Sequence, residues 1–374
     1  MSSKGWRWRD TGKLEDLLIR STRYMGERDI RIMVIGNRHI SAWPPTLGEA
    51  LRMGLKPVVP APLAGYTDAI YRRILRENGA RYLTYPLLSA HATLCSKPET
   101  HKILTEIKTE GDLMVQLFAG DPEKIEQAAK VIADHGAVGI DFNLGCAVRK
   151  IAKSGGGAIL LKDLPLARQC LEALRRAVDL PLSIKTRIGY AEADKQSGLE
   201  ILKMAQDLGF SHAIIHGRTF KQGFKGKADW DFNAKFKEKA SIPVIGNGDV
   251  TDYKTCLEMF DKTHADGVMI GRAMIGNPYV VADCQKFISD GEIPPVRTGK
   301  TLLFAALHHY RIAVEAYGPE RGNNEMRKHL AKYIHGIRGA TALRIRLNAT
   351  GNPAEVTRLL EEAAELQPAV GEID

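Results

Sequence analysis

The chain has 374 residues, 44% of them hydrophobic and 26% charged, which is enough for a large core and excludes a disordered or low-complexity protein. Lys and Arg number 53 against 44 Asp and Glu, a formal charge of +9 that favours an anionic partner such as nucleic acid. No apolar run is long enough to span a bilayer and the first residues hold no signal-peptide core, so no membrane association and a cytoplasmic location are expected.

Residues 1–45 differ in character from the rest of the chain. They are rich in Arg and Trp, with weak helical spacing over Asp10 to Tyr24 (Leu14, Leu17, Leu18) and a short strand expected over Ile30 to Ile35. Two readings stand side by side, an RNA-contacting extension and a loosely docked tail. Trp43-Pro44-Pro45 closes the segment with a stiff break.

A regular rhythm occupies residues 46–292. Short runs rich in Val, Ile and Leu alternate with helical segments: Val58–Ala61, Tyr82–Tyr85, Leu113–Phe118, Val138–Phe142, Leu182–Thr186, His212–His216, Pro243–Gly246 and Gly267–Ile270. Asp121-Pro122, Asp163 ahead of Pro165, and Thr251-Asp252 each read as a cap opening a helix. Strands that are apolar on both faces belong to a parallel sheet covered by helices. Eight such units predict an α/β fold, a (β/α)8 TIM barrel. No Gly-x-Gly-x-x-Gly follows an early strand, which argues against a dinucleotide-binding domain. Residues 293–374 open on Pro294-Pro295 and then read as four helices, Leu302–Tyr317, Asn323–Ile337, Ala340–Ala349 and Pro353–Leu366. This C-terminal helical bundle carries a basic run, Arg327, Lys328, Lys332, Arg338, Arg344 and Arg346, which suits either a solvated face or a polyanion.

The strand ends of such a barrel build its active site. Here they bear Ala61-Pro62-Leu63, Gln116, Asn143 with Cys146 beyond it, Lys185-Thr186-Arg187, His216-Gly217-Arg218, Asn247-Gly248-Asp249 and Gly271-Arg272. The two glycine loops after strands seven and eight, with Arg272, suit a phosphate group. Lys185 can stabilise negative charge on a reduced cofactor ring and His216 can hydrogen-bond a ring carbonyl, so flavin mononucleotide (FMN) leads the candidates. The five cysteines, Cys95, Cys146, Cys170, Cys256 and Cys284, are odd in number and widely spaced, without CxxC or metal-ligand spacing. Reduced thiols and no metal are expected. Cys146, ahead of Arg149, Lys150, Lys153 and three glycines, reads either as a buried turn cysteine or as a reactive thiol; the cations suit a thiolate and equally a proton-donating thiol.

The series Ala61-Pro62-Leu63-Ala64-Gly65-Tyr66-Thr67-Asp68, Val115-Gln116-Leu117, Asn143-Leu144-Gly145-Cys146, Lys185-Thr186-Arg187, Ile215-His216-Gly217-Arg218-Thr219, Asn247-Gly248-Asp249 and Met269-Ile270-Gly271-Arg272 resembles the tRNA-dihydrouridine synthases, nearest in pattern to the bacterial B-type branch. The match runs from about Pro57 to Lys286 and continues weakly through Met326–His329 and Leu343–Arg346. The resemblance implies an FMN enzyme, reduced by NADPH, that delivers a hydride to C6 of a uridine in tRNA while a cysteine protonates C5. It assigns Cys146 as that acid. It assigns Ala61, Pro62, Leu63, Gln116, Lys185 and His216 to the isoalloxazine, and Asn247, Gly248, Asp249, Gly271 and Arg272 to the phosphate end. Asn143, Lys150, Arg187 and Arg218 fall to the uridine and its RNA. It also implies a monomer whose residues 293–374 bind RNA. Three positions depart from the family: Ala147 replaces a proline, which predicts a looser loop, Pro86 stands where glutamate is common, and Leu63 replaces methionine. Two alternatives stay open: an FMN barrel oxidoreductase acting on a small molecule, and an RNA-binding relative that has lost turnover.

Overall fold

The computed structural model describes residues 43–367 and the strand residues 33–35 and 38–40. Met33–Ile35 pairs antiparallel with Arg38–Ile40, so a strand does fall within the expected stretch. The helical spacing at Asp10–Tyr24 lies outside the described residues.

Eight parallel strands succeed them: β1 (Val58–Pro60), β2 (Thr84–Ser89), β3 (Met114–Phe118), β4 (Gly139–Leu144), β5 (Leu182–Arg187), β6 (His212–His216), β7 (Val244–Asn247) and β8 (Gly267–Ile270). Their order in the sheet is β1-β8-β7-β6-β5-β4-β3-β2, the cyclic order of a (β/α)8 barrel. Helices cross between successive strands. Asp68, Asp121, Asp163, Asp229 and Asp252 each cap one by accepting a backbone N–H, Asp121, Asp163 and the Thr251-Asp252 pair being the three expected. Within the Thr251-Asp252 pair the cap is Asp252, which forms a capping box with Thr255.

The second strand differs from expectation. Tyr82 has φ +54°, outside the extended region, so the strand starts two residues later and runs through Pro86, with a register shift between Tyr85 and Leu88. Pro86 therefore lies in β2 and not after it. The seam between β1 and β2 thus carries Pro60 and Pro86, neither of which has an N–H to donate.

Strand register divides the barrel interior. Val59, Ile214, Ile245 and Met269 pack in one cluster with Leu47 and Leu51 of the helix Leu47–Arg52. On β3 to β5 the corresponding positions are polar: Gln116 is opposite Asp141, Asp141 opposite Ser183, and Asn143 opposite Lys185. One half of the barrel is hydrocarbon and the other is a hydrogen-bonded network.

After β8 come the helices Gly299–Tyr317, Pro319–Tyr333, Ala340–Ala349 and Pro353–Glu365, two of them starting three or four residues earlier than expected. Gly322 allows close crossing, because a Cβ there would lie 2.7 Å from the Val314 Cα. These helices share one apolar core with the barrel helix Ala69–Glu77 and with β1 and β8. His308 Nε2 meets Glu77 Oε2 at 2.8 Å, and the rings of Tyr71 and His309 stack at 5.2 Å.

Three buried histidines make this fold acid-sensitive. Burial pushes His212 down to about 4 and His329 down to about 3, with Arg52 and Lys328 adding to the effect, and it holds His309 well below the usual range. An unfolded histidine binds its proton near 6.5, so below that pH the unfolded state takes up more protons and stability falls as pH falls. His212 and His329 together should cost about 4 kcal/mol at pH 5. Thermal unfolding is expected to begin at clearly lower temperature at pH 5 than at pH 7.5; equal midpoints would refute the assignment.

Candidate active site

The network on β3 to β5 builds the floor of the site. Asp141 is 2% exposed; its Oδ2 accepts from Gln116 Nε2 at 2.7 Å and its Oδ1 from Ser183 Oγ at 2.7 Å. Gln116 Oε1 accepts from Asn143 Nδ2 at 2.9 Å. Asn143 Oδ1 then accepts from the backbone N–H groups of Gly145 (3.2 Å) and Cys146 (2.9 Å). Asn143 was expected at the break after its strand and Gln116 at a strand end. Both lie within strands, which puts their amides inside the barrel.

Cys146 is half-buried in the loop after β4. Its carbonyl accepts from Ala158 N at 3.3 Å, and Gly157, at φ +71°, packs so close that a Cβ would lie 3.1 Å from that oxygen. Burial pushes the thiol above the usual range; a backbone hydrogen bond at Val148 and the charges of Arg187 and Lys185 oppose this without overturning it. The group is a neutral thiol near neutral pH, the form that carries a proton to give. Arg187 is tied to backbone carbonyls, with Nε on Gly145 O at 2.7 Å and Nη1 on Thr219 O and Gly223 O at 3.0 Å. Burial lowers it to about 10, so it remains charged at neutral pH. Lys185 Nζ donates to Asn247 Oδ1 at 3.1 Å. Burial pushes this ammonium down to about 8, with Asp141 pulling the other way.

Arg187, His216 and Asn247 stand at one level across β5, β6 and β7. Asn247 Nδ2 donates to Met269 O at 2.8 Å, turning its oxygen toward Lys185. Gly248 has φ +125°, and a Cβ there would lie 2.7 Å from Ala228 Cβ, so only glycine fits. Gly271 is open, its nearest neighbour being Ala61 Cβ at 3.9 Å from a built Cβ. Ala61 is buried and Pro62 and Leu63 are half-buried; their loop is pinned by Leu63 N on Thr67 Oγ1 (2.9 Å) and by Arg72 Nη1 on Thr67 O (2.8 Å).

Asp249 lies between two arginines at this end of the site. Its carboxylate bridges Arg218 Nη2 (2.6 Å) and Arg272 Nη2 (3.0 Å) and accepts from Ala228 N (2.7 Å). A carboxylate repels phosphate, and this one pairs instead with two guanidinium groups. Arg218 is 2% exposed and also donates to the carbonyls of Lys225 and Gly226. Lys150 lies in the helix Arg149–Lys153, and its side chain is outside the described residues. In this site two buried polar atoms, His216 Nδ1 and Arg218 Nη1, have no hydrogen-bond partner among the described residues. Together with the open Gly271 and the cation at Lys185, these orphans fit a polar, phosphorylated ring cofactor. Phe224 was not anticipated. It is 58% exposed, with the guanidinium carbons of Arg272 and Arg187 at 4.9 and 5.8 Å from its ring centroid.

The family pattern of dihydrouridine synthase (Dus) matches residues 59–368. The chain belongs to the dihydrouridine synthase family. The match includes the helices after the barrel, where the motifs alone gave only a weak signal. Among relatives, "Probable tRNA-dihydrouridine synthase 1" of Synechocystis sp. (strain ATCC 27184 / PCC 6803 / Kazusa) is 35% identical over 306 residues, 82% of this chain and 86% of its own. The tRNA-dihydrouridine synthase B of Escherichia coli (strain K12) is 33% identical over 307 residues, 81% of this chain and 94% of its own. That of Pasteurella multocida (strain Pm70) is 33% identical over 301 residues, 80% and 90%. Among the described residues, no group of three or more His, Cys, Asp or Glu could hold a metal ion, and no helix is long and apolar enough to cross a membrane.

Proposed function

We propose that this dihydrouridine synthase family member reduces the C5–C6 bond of uridines in tRNA to 5,6-dihydrouridine, with FMN as bound cofactor and NADPH as reductant. The observation that carries the reading is the placement of Cys146 in the loop after β4, its backbone N–H held by Asn143 Oδ1 and Arg187 bound to the neighbouring Gly145 carbonyl. When bound, FMN supplies the hydride for C6. Cys146 donates its proton to C5, where negative charge develops. Lys185 and His216 border the isoalloxazine with Gln116 and the Ala61-Pro62-Leu63 backbone. Asn247, Gly248, Gly271 and Arg272 receive the phosphate end, with Arg272 aimed by Asp249. Asn143, Arg187 and Lys150 hold the uracil and its flanking RNA, and Arg218 braces the same wall.

The uridine must leave its stack to reach this mouth, so the RNA needs a second surface. Residues 293–374 supply it. Arg327, Lys332, Arg338, Arg344 and Arg346 are exposed, and the first four form no ion pair among the described residues. Such contacts are phosphate-directed and salt-sensitive.

The test is to incubate the FMN-loaded protein and NADPH with an unmodified tRNA transcript or with a small enone. Dihydrouridine should appear in the tRNA, and NADPH should not be consumed with the enone. Replacing Arg327, Lys332, Arg338 and Arg344 together by Gln should reduce the salt slope of tRNA binding by about three to four. Turnover of the enone alone would favour a small-molecule oxidoreductase, and tRNA binding without turnover would favour an inactive relative.

A further inference from the structure

Asp141 bonds only inward, to Gln116 and Ser183, and ends the hydrogen-bond chain that reaches Cys146. The direction of that chain is fixed from both ends. The N–H groups of Gly145 and Cys146 can only donate, so Asn143 must present its oxygen to them and its NH2 to Gln116. Gln116 must then present its oxygen to Asn143 and its NH2 onward, and the group receiving it must accept. Asp141 does so with Oδ2 while Oδ1 takes the Ser183 hydroxyl. A terminal group that cannot accept would leave the Gln116 NH2 without a partner and free that amide to turn, which would set its NH2 against the Asn143 NH2 and loosen the hold on the Cys146 loop.

A carboxylate buried inside a barrel is costly, and an apolar side chain would fill the space at less expense. Its presence calls for a task that an apolar residue cannot do. We propose that Asp141 is a positioning residue, which polarises the Gln116–Asn143 relay and so holds the Cys146 loop with its thiol at the donor position. The role of that thiol rests on the reaction proposed above; the relay itself does not.

Two substitutions separate acceptor direction from charge. Asp141→Asn can turn its oxygen to Gln116 and its NH2 to the Ser183 oxygen, which preserves the relay. Asp141→Leu removes the acceptor at similar volume. The reporter is alkylation of Cys146 by iodoacetamide, followed by peptide mapping without RNA or NADPH. The Leu variant should alkylate about tenfold faster than the parent, and the Asn variant within about twofold of it. Turnover on tRNA should fall about ten- to a hundredfold in the Leu variant with little change in KM, and the Asn variant should rescue it. Gln116→Met breaks the chain at its middle, leaves Asp141 its Ser183 partner, and should show the same faster alkylation if the Leu variant fails to fold. Parental alkylation in the Leu or Met variant, or an Asn variant as fast as the Leu variant, would overturn the relay. Because alkylation is read without turnover, it stands or falls apart from the proposed reaction.

Discussion

Replacing Cys146 by alanine should slow dihydrouridine formation about 100- to 10,000-fold, the span that a positioned general acid supplies. Flavin binding should survive, because Cys146 hydrogen-bonds the floor through its backbone N–H, which alanine retains. Reduction of the flavin by NADPH should also continue, since the thiol is needed only once the uracil is present. The decisive measurement is single-turnover oxidation of pre-reduced enzyme by tRNA, with the flavin spectrum as internal control. A variant that oxidises at the parental rate would remove Cys146 from the chemistry. Loss of the flavin spectrum would instead mean that the loop supports the cofactor.

The second large effect is expected at Lys185. Lys185→Met removes the cation nearest the buried Asp141 network and should reduce the rate of flavin reduction about 100- to 1,000-fold. The pH dependence is more specific. The ammonium titrates at about 8, so the charged form predominates below that pH and is lost as pH rises through it. Parental activity should therefore decline above pH 8. Lys185→Arg keeps its charge throughout and should abolish that decline even if its rate is lower. An alkaline limb that persists in the Arg variant would belong to another group. Cys146 is the natural candidate, as its raised pKa also falls on the alkaline side.

Much of this site was legible from strand rhythm. Once eight apolar runs are aligned, their ends bring Lys185, His216, Asn247 and Arg272 to one mouth, because all parallel strands point the same way. What remained hidden has definite physical causes. Asp141 sits in Gly-Ile-Asp-Phe-Asn-Leu, which reads as an apolar run with a break at Asn143. Alternation does place Asp141 and Asn143 on one face, and that periodicity is the signal by which the relay could have been found. The bridging contact of Asp249 depends on two arginines that follow different strands, one of them 31 residues earlier in the chain, and no local pattern encodes that. Phe224 lies in a long loop without periodicity. The expected second strand stops at Tyr85, whereas the strand runs on through Pro86, which occupies a seam without a ladder partner.

The proline-lined seam has a consequence for how the protein can be dissected. The barrel helix Ala69–Glu77 connects the two seam strands, and the helix Gly299–Tyr317 packs directly over it through Tyr71, His309 and the Glu77–His308 contact. The C-terminal helices thus act as a clasp across the join that the backbone leaves least well stitched. A shortened chain ending near Asp290 would be more than an enzyme without an RNA handle; it would be a barrel with its fastening removed. Grafting a different RNA-recognition element onto this scaffold would therefore have to retain the clasp and replace only its outward, basic face.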